Sequence, residues 1–227
     1  MTLKVMRGCQ RRFFVIGDLS KEYESNGDIG AISTGEGDYG GKSYGMYQLA
    51  SNVGSVDDFI SWGLNSDYSW IAEELNKYVV GSYEFDNAWV YFANNDYDNF
   101  YNMQHNYAIY KYYDVSVELL REHLFNIENH SETMKDVIFS RAIQYGTGNI
   151  VEMFEDALVI MGEKLNLDLD NLSFVDEKRF DYDLITSIYD VCMTTEWNNS
   201  PLRENLNHRF REEKAKAIQM LSEELGI

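Results

Sequence analysis

Between Tyr23 and Leu49 the chain reads YESNGDIGAISTGEGDYGGKSYGMYQL, a stretch without proline. It holds seven of the 16 glycines (Gly27, Gly30, Gly35, Gly37, Gly40, Gly41 and Gly45) and four carboxylates, Glu24, Asp28, Glu36 and Asp38. Glycine is costly to order inside a helix, so this segment cannot continue the helical pattern that fills the rest of the chain. Ile29, Ile32, Tyr44, Tyr47 and Leu49 give it just enough apolar points for a short, twisted antiparallel ribbon over about 29–50, with irregular turns. Tyr44 and Tyr47 are read as alternating at strand spacing.

On either side the periodicity is helical. A first helix is expected at about 18–25. Ser55 is placed to cap the next one, with Asp57 and Asp58 in its first turn and Val56, Phe59 and Ile60 on its apolar face. Trp70, Ile71, Leu75 and Tyr78 follow at helical spacing, then an aromatic region over roughly 85–113. Further helices are expected at 114–126, 131–145 with Gly146 as the stop, 149–163, 181–193 and 201–225. Pro201 suits the first turn of the last helix, whose buried stripe is Phe210, Ala217, Ile218, Leu221 and Leu225. The fold class is therefore α+β, mainly helical, with two lobes and a small β-hairpin element beside a cleft. Pro201 is the single proline and no linker-like stretch occurs. One domain over 1–227 is expected, with a small β lobe at about 26–52 and a helical lobe at about 53–225.

Charge narrows the partners. With 19 basic and 38 acidic residues, net −19, the chain repels nucleic acid and anionic membranes, and neither is expected as a partner. Cys9 and Cys192 form no CxxC pair, the four histidines show no metal-ligand spacing, and Asp-x-Asp pairs at 96–98 and 168–170 lack the rest of a calcium loop. No metal and no cofactor are expected, and a monomer is expected. The apolar patch Phe13–Ile16 is too short for a signal peptide. The chain is read as made in the bacterial cytoplasm.

Two uses of the acidic, glycine-rich stretch compete: a solvated loop, or the wall of a cleft holding two carboxylates. Hydrolysis of a glycosidic bond needs a proton for the departing oxygen and a second carboxylate for the oxocarbenium-like centre. Glu24 falls where the first helix should end, and Asp28, Glu36 and Asp38 lie on the ribbon. Burial against tyrosine would keep Glu24 protonated, while Asp38 among glycines would stay wet and ionised.

The pair Glu24-Ser25 followed by Gly45-Met46-Tyr47-Gln48-Leu49 resembles the lysozyme superfamily and its lytic transglycosylase branch. The segment Gly37 to Gln48 is similar to chitosanase-like peptidoglycan hydrolases of phage endolysins and type VI secretion spike tips. Ala142-Ile143-Gln144-Tyr145-Gly146 and Asn207-His208-Arg209-Phe210 fit more loosely, with Tyr145 where related chains often carry histidine. The resemblance implies a lysozyme-like glycosidase, a muramidase-type bacteriophage endolysin acting on peptidoglycan glycan strands, with no separate wall-binding domain. It implies Glu24 as general acid and Asp38 as second carboxylate, with Glu36 as the rival for that role. Ser43, Tyr44, Tyr47, Gln48, Gln144 and Tyr145 would bind substrate. Release by a holin, or injection, would bring it to the cell wall. A chitosanase, a lytic transglycosylase, and a non-catalytic glycan-binding phage structural protein are the alternatives.

Overall fold

The computed structural model describes residues 16, 17, 19, 27–35, 37 and 39–227. Among them the regular structure is mainly helical with one small antiparallel sheet, an α+β arrangement. The sheet is minimal: β1 (Ser43–Tyr44) pairs with β2 (Leu49–Ala50), Ser43 opposite Ala50 and Tyr44 opposite Leu49. An isolated bridge from Ile32 to Tyr44 adds a third pass of chain. Tyr47 is not on a strand, as the alternation suggested, but in the tight Gly45–Gln48 connection, where Gly45 (φ 69°) and Gln48 (φ 52°) turn the chain back. Gly45 is required twice over, because a Cβ there would lie 2.3 Å from Gln104 Oε1 and 2.9 Å from Trp89 Cζ2.

The helices follow the periodicity with local corrections. For α1 (Ser55–Gly63) the cap is Gly54 in the left-handed region, φ 81°, and Ser55 is simply its first residue. In α2 (Ser69–Leu75), Ile71, Ala72 and Leu75 are buried while Trp70 faces outward. The aromatic region divides into α3 (Tyr83–Asn95) and α4 (Tyr97–Ala108). Ser82 accepts the Phe85 N–H at 3.1 Å to start α3. A π-helical segment, Ile109–Tyr113, then runs into α5 (Asp114–Glu122). Ser131 caps α6 (Glu132–Tyr145) by accepting the Met134 N–H at 3.0 Å, and Gly146 ends it. Next come α7 (Ile150–Leu165) and α8 (Asp181–Cys192). Pro201 sits in the turn before α9 (Arg203–Leu225) rather than inside its first turn. Phe210, Ala217 and Leu221 of that helix are buried, but Leu225 is exposed.

Apolar packing forms two groups. The first joins the ribbon (Ile29, Tyr44, Met46, Leu49) to α1–α4 and ends at Tyr107. The second begins with Leu19 and Ala108 and takes in α5–α9. The change of partner falls at the 107–108 peptide, directly before the π-helical segment. Tyr47 packs against both groups. The ribbon is thus part of a helical core and not a unit with a core of its own.

The second group is organised around a buried ion pair. Arg141 of α6 and Glu213 of α9 are bonded to each other with no exposed surface on either side chain. Arg209 Nε donates to the other Glu213 oxygen at 2.6 Å, and the Arg141 guanidinium lies 4.9 Å from the Tyr189 ring and 5.2 Å from Phe210. Burial works against the guanidinium charge, but Glu213 outweighs it and holds the group above its ordinary pKa. Removing one partner of such a pair strands the other in apolar surroundings. Glu213→Ala is therefore expected to lower stability by about 3–5 kcal/mol, read from urea unfolding.

Candidate functional site

The ribbon carries too little apolar surface to fix itself, and three polar side chains from α3 and α4 dock it. The Ile29 carbonyl accepts two hydrogen bonds, from Trp89 Nε1 and from Gln104 Nε2, both at 2.9 Å. Gln104 Oε1 in turn accepts the Met46 N–H at 3.1 Å. On the far side of β1, Asp86 accepts the Tyr44 hydroxyl at 2.6 Å and Lys42 Nζ at 2.6 Å, and Lys42 also donates to the Gly81 carbonyl at 2.8 Å. Burial first, then the hydrogen bond and charge of Asp86, push the Tyr44 phenol above its usual value, so it stays a neutral donor.

Where the two packed groups meet, aromatic rings form a ladder. Tyr97, Tyr101 and His105 repeat every fourth residue along one face of α4, with stacked rings 6.3 Å and then 5.9 Å apart. Tyr47 continues the stack on His105 at 6.3 Å, and its hydroxyl lies 2.7 Å from His105 Nδ1. Phe139 of α6 closes the inner end with its edge toward both Tyr47 and His105. The ladder runs from Tyr97, 52% exposed, down to His105, 7% exposed. At its buried end the backbone of residues 17 and 19 is tied down. The Asp136 carboxylate accepts the Gly17 N–H at 2.5 Å and the Leu19 N–H at 3.1 Å. A Cβ on Gly17 (φ 108°) would be strained by the backbone and would crowd His105 Cε1 at 3.0 Å and Phe139 Cε1 at 3.2 Å.

Of the residues singled out in the sequence, Glu24, Asp38 and the rival Glu36 lie outside the described residues. Ser43 is half-buried, its N–H donating to Ser33 Oγ at 2.7 Å. The Tyr44 ring is fully buried between Phe85 and Trp89. Tyr47 stands at the seam, and Gln48 beside it donates Nε2 to the Gly45 carbonyl at 2.9 Å. Gln144 and Tyr145 are half-buried at the end of α6. Tyr145 leans on Trp197 (5.5 Å) and Phe210 (6.3 Å), and burial raises its phenol well above the ordinary value. The structure thus groups Tyr47 and Gln48 at the seam and sets Tyr145 in the packing of α6 against α9. Sequence reasoning passed over Asp86, Gln104 and Asp136 entirely, and noted His105 only as one of four histidines. Their partners are more than 40 residues away in the chain, and no local pattern marks them.

Comparison with known proteins defines the class. Residues 16–214 match the family of type VI secretion system spike proteins, VgrG3-like, C-terminal, and the chain belongs to that family. It is similar to the type VI secretion system spike protein VgrG3 of Vibrio cholerae serotype O1, 35% identical over 132 residues. That match covers 58% of this chain and 12% of the relative's length, so the chain corresponds to a small part of that protein. The family match overturns the lysozyme-superfamily assignment, and with it the muramidase-type phage endolysin and its bacteriophage setting. The physical reason is the brevity of the motif. Gly45 to Leu49 is a tight turn entering a strand, held by Gln104 and Trp89, and such a turn favours glycine and an amide whatever the ancestry.

Asp86 offers the clearest test of the docking. Asp86→Ala leaves the buried Tyr44 hydroxyl without its carboxylate acceptor and Lys42 with the Gly81 carbonyl but no ion pair, and is expected to cost about 1–3 kcal/mol in urea unfolding. Because the Tyr44 phenol is raised in the folded state, its contribution is full below the ordinary tyrosine value near 10.0 and fades as pH rises beyond it. Tyr44→Phe should accordingly flatten the alkaline loss of stability.

Proposed function

We propose that the chain is the terminal, wall-directed domain of a type VI spike, made in the bacterial cytoplasm and carried outward on the spike. In this reading it works as a glycosidase whose partner is the peptidoglycan glycan strand. The observation that carries the proposal is the ring ladder Tyr97–Tyr101–His105–Tyr47, which descends from solvent to the point where Asp136 holds the backbone of residues 17 and 19. Sugar rings stack on aromatic faces through their C–H surfaces. The ladder leads such a polymer toward residues 17 and 19, and Glu24 follows Leu19 by five positions in the sequence.

In this reading Glu24 is the proton donor to the glycosidic oxygen. Asp38, or Glu36 in its place, is the second carboxylate, which either stabilises the oxocarbenium-like carbon, attacks it or activates water. Tyr47 and Gln48 hold the sugar at the seam, and Ser43 and Gln144 flank it. His105, fixed by the Tyr47 hydroxyl, sets the angle of the innermost ring. The glycines of the ribbon let a bulky polymer approach backbone. The acidic surface suits a neutral or cationic polymer and disfavours nucleic acid.

Glu24→Gln is expected to keep the circular dichroism of the parent and to release reducing ends from purified sacculi about 10²–10⁴-fold more slowly. Undiminished release by that variant overturns the assignment of Glu24. No release by the parent protein overturns the glycosidase itself.

A further inference from the structure

A second concave surface lies away from the ring ladder. Residues Trp70, Glu74 and Tyr78 repeat every fourth position along α2 and the turn after it. Facing them on α3 are Glu84, Asn87, Ala88 and Tyr91, with Phe92 at the floor. The groove between them has a volume of about 640 Å³, within the range of small-molecule sites, roughly 300–1,000 Å³. It is a different face of α3 from the one that docks the ribbon, where Asp86 and Trp89 point.

The chemistry of the lining is specific. Trp70 is 46% exposed and Tyr91 59% exposed, so two large rings border one depression in water. Soluble chains seldom group exposed rings in a concavity without a use for them. The indole N–H of Trp70 reaches Asp96 at 3.4 Å and the Tyr68 ring stands tilted 6.1 Å away, so the indole is held at one side while nearly half of the residue stays in solvent. Ala88 is the small residue at the middle of the α3 stripe, and its lack of bulk makes the space. Glu74 is already engaged by Lys77 at 2.5 Å and by the Tyr78 hydroxyl at 3.2 Å. The Glu84 and Asn87 side chains make no hydrogen bond or ion pair with the described residues, so both remain available to a ligand.

Ring faces for C–H surfaces, with a carboxylate and an amide to accept N–H and exchange O–H bonds, are the requirements of a saccharide that carries nitrogen. We propose that the α2–α3 groove is a second carbohydrate site, taking an amino-sugar oligosaccharide and separate from the seam where Tyr47 stands. The choice of amino sugar rests in part on the wall-glycan reading. The site would hold the polymer while the seam works on another stretch of it, raising the local concentration of strand.

The probe is the tetramer of N-acetylglucosamine, titrated into isotope-labelled protein while the indole N–H signals are followed. The Trp70 signal is the one absent from Trp70→Ala. The tetramer is expected to shift it in the parent protein, and Tyr91→Ala is expected to weaken that binding about tenfold, the equivalent of one lost ring contact. Trp70→Ala, followed by calorimetry, should weaken it to the same degree. Both variants should clear insoluble sacculi more slowly while cutting soluble fragments at the parental rate. A Trp70 signal that ignores the tetramer, unchanged affinity in both variants, or equal binding of a glucose tetramer overturns the inference. The two proposals fail separately. A protein that binds the tetramer at Trp70 but cuts no wall keeps this site and loses the glycosidase, and one that cuts walls with Trp70 unmoved does the reverse.

Discussion

The ribbon's place in the smaller packed group turns on one carbonyl. The Ile29 oxygen takes donors from two helices at once, Trp89 of α3 and Gln104 of α4, and Gln104 returns an acceptor to Met46. Two strands of two residues each cannot hold a hairpin in water. Buried and fully satisfied, these polar bonds lose little to solvent and fix direction as well as position, which apolar packing alone does not. Gly45 is the price in conformation: only a residue without Cβ lets the turn approach Gln104 this closely. The ribbon thus takes its geometry from the helices, and any side chain it carries is aimed by them.

The same logic recurs at the seam. Tyr47 touches both packed groups, so the ring ladder on α4 and the edge of Phe139 on α6 are held in one register by a single turn residue. Asp136 gathers the start of the described chain to the same place. Further off, the Arg141–Glu213 pair locks α6 to α9 and keeps Tyr145 in packing against Trp197 and Phe210. Such a pair adds little net stability over a well-packed apolar core, yet removing either partner strands the other's charge in the interior.

How much could be read in advance follows from distance along the chain. Helices α5 to α9 were legible because their apolar stripes repeat within single segments, and Ser131 and Gly146 mark the ends of α6 by local chemistry. The ribbon was legible from its glycines. Its register was not, because Tyr47 looks like a strand residue until Gln48 adopts positive φ. Trp70 has the spacing of a core residue and the exposure of a surface one, since periodicity reports a helix face without saying what covers it. Asp86, Gln104 and Asp136 are ordinary polar residues on helices, and only the fold brings Tyr44, Met46 and Gly17 to them. The family was misjudged for a related reason: a five-residue turn motif reports local backbone demands more than descent.

Amide hydrogen exchange of the ribbon measures the central constraint directly. The Ser33, Gly45 and Ser51 N–H groups donate to the carbonyls of Ser43, Ala31 and Lys42. If docking by Gln104, Trp89 and Asp86 makes the ribbon part of the helical core, these amides exchange as slowly as those inside α3 and α4 and open only with them. Ribbon amides that exchange freely while α3 and α4 stay protected would contradict the account.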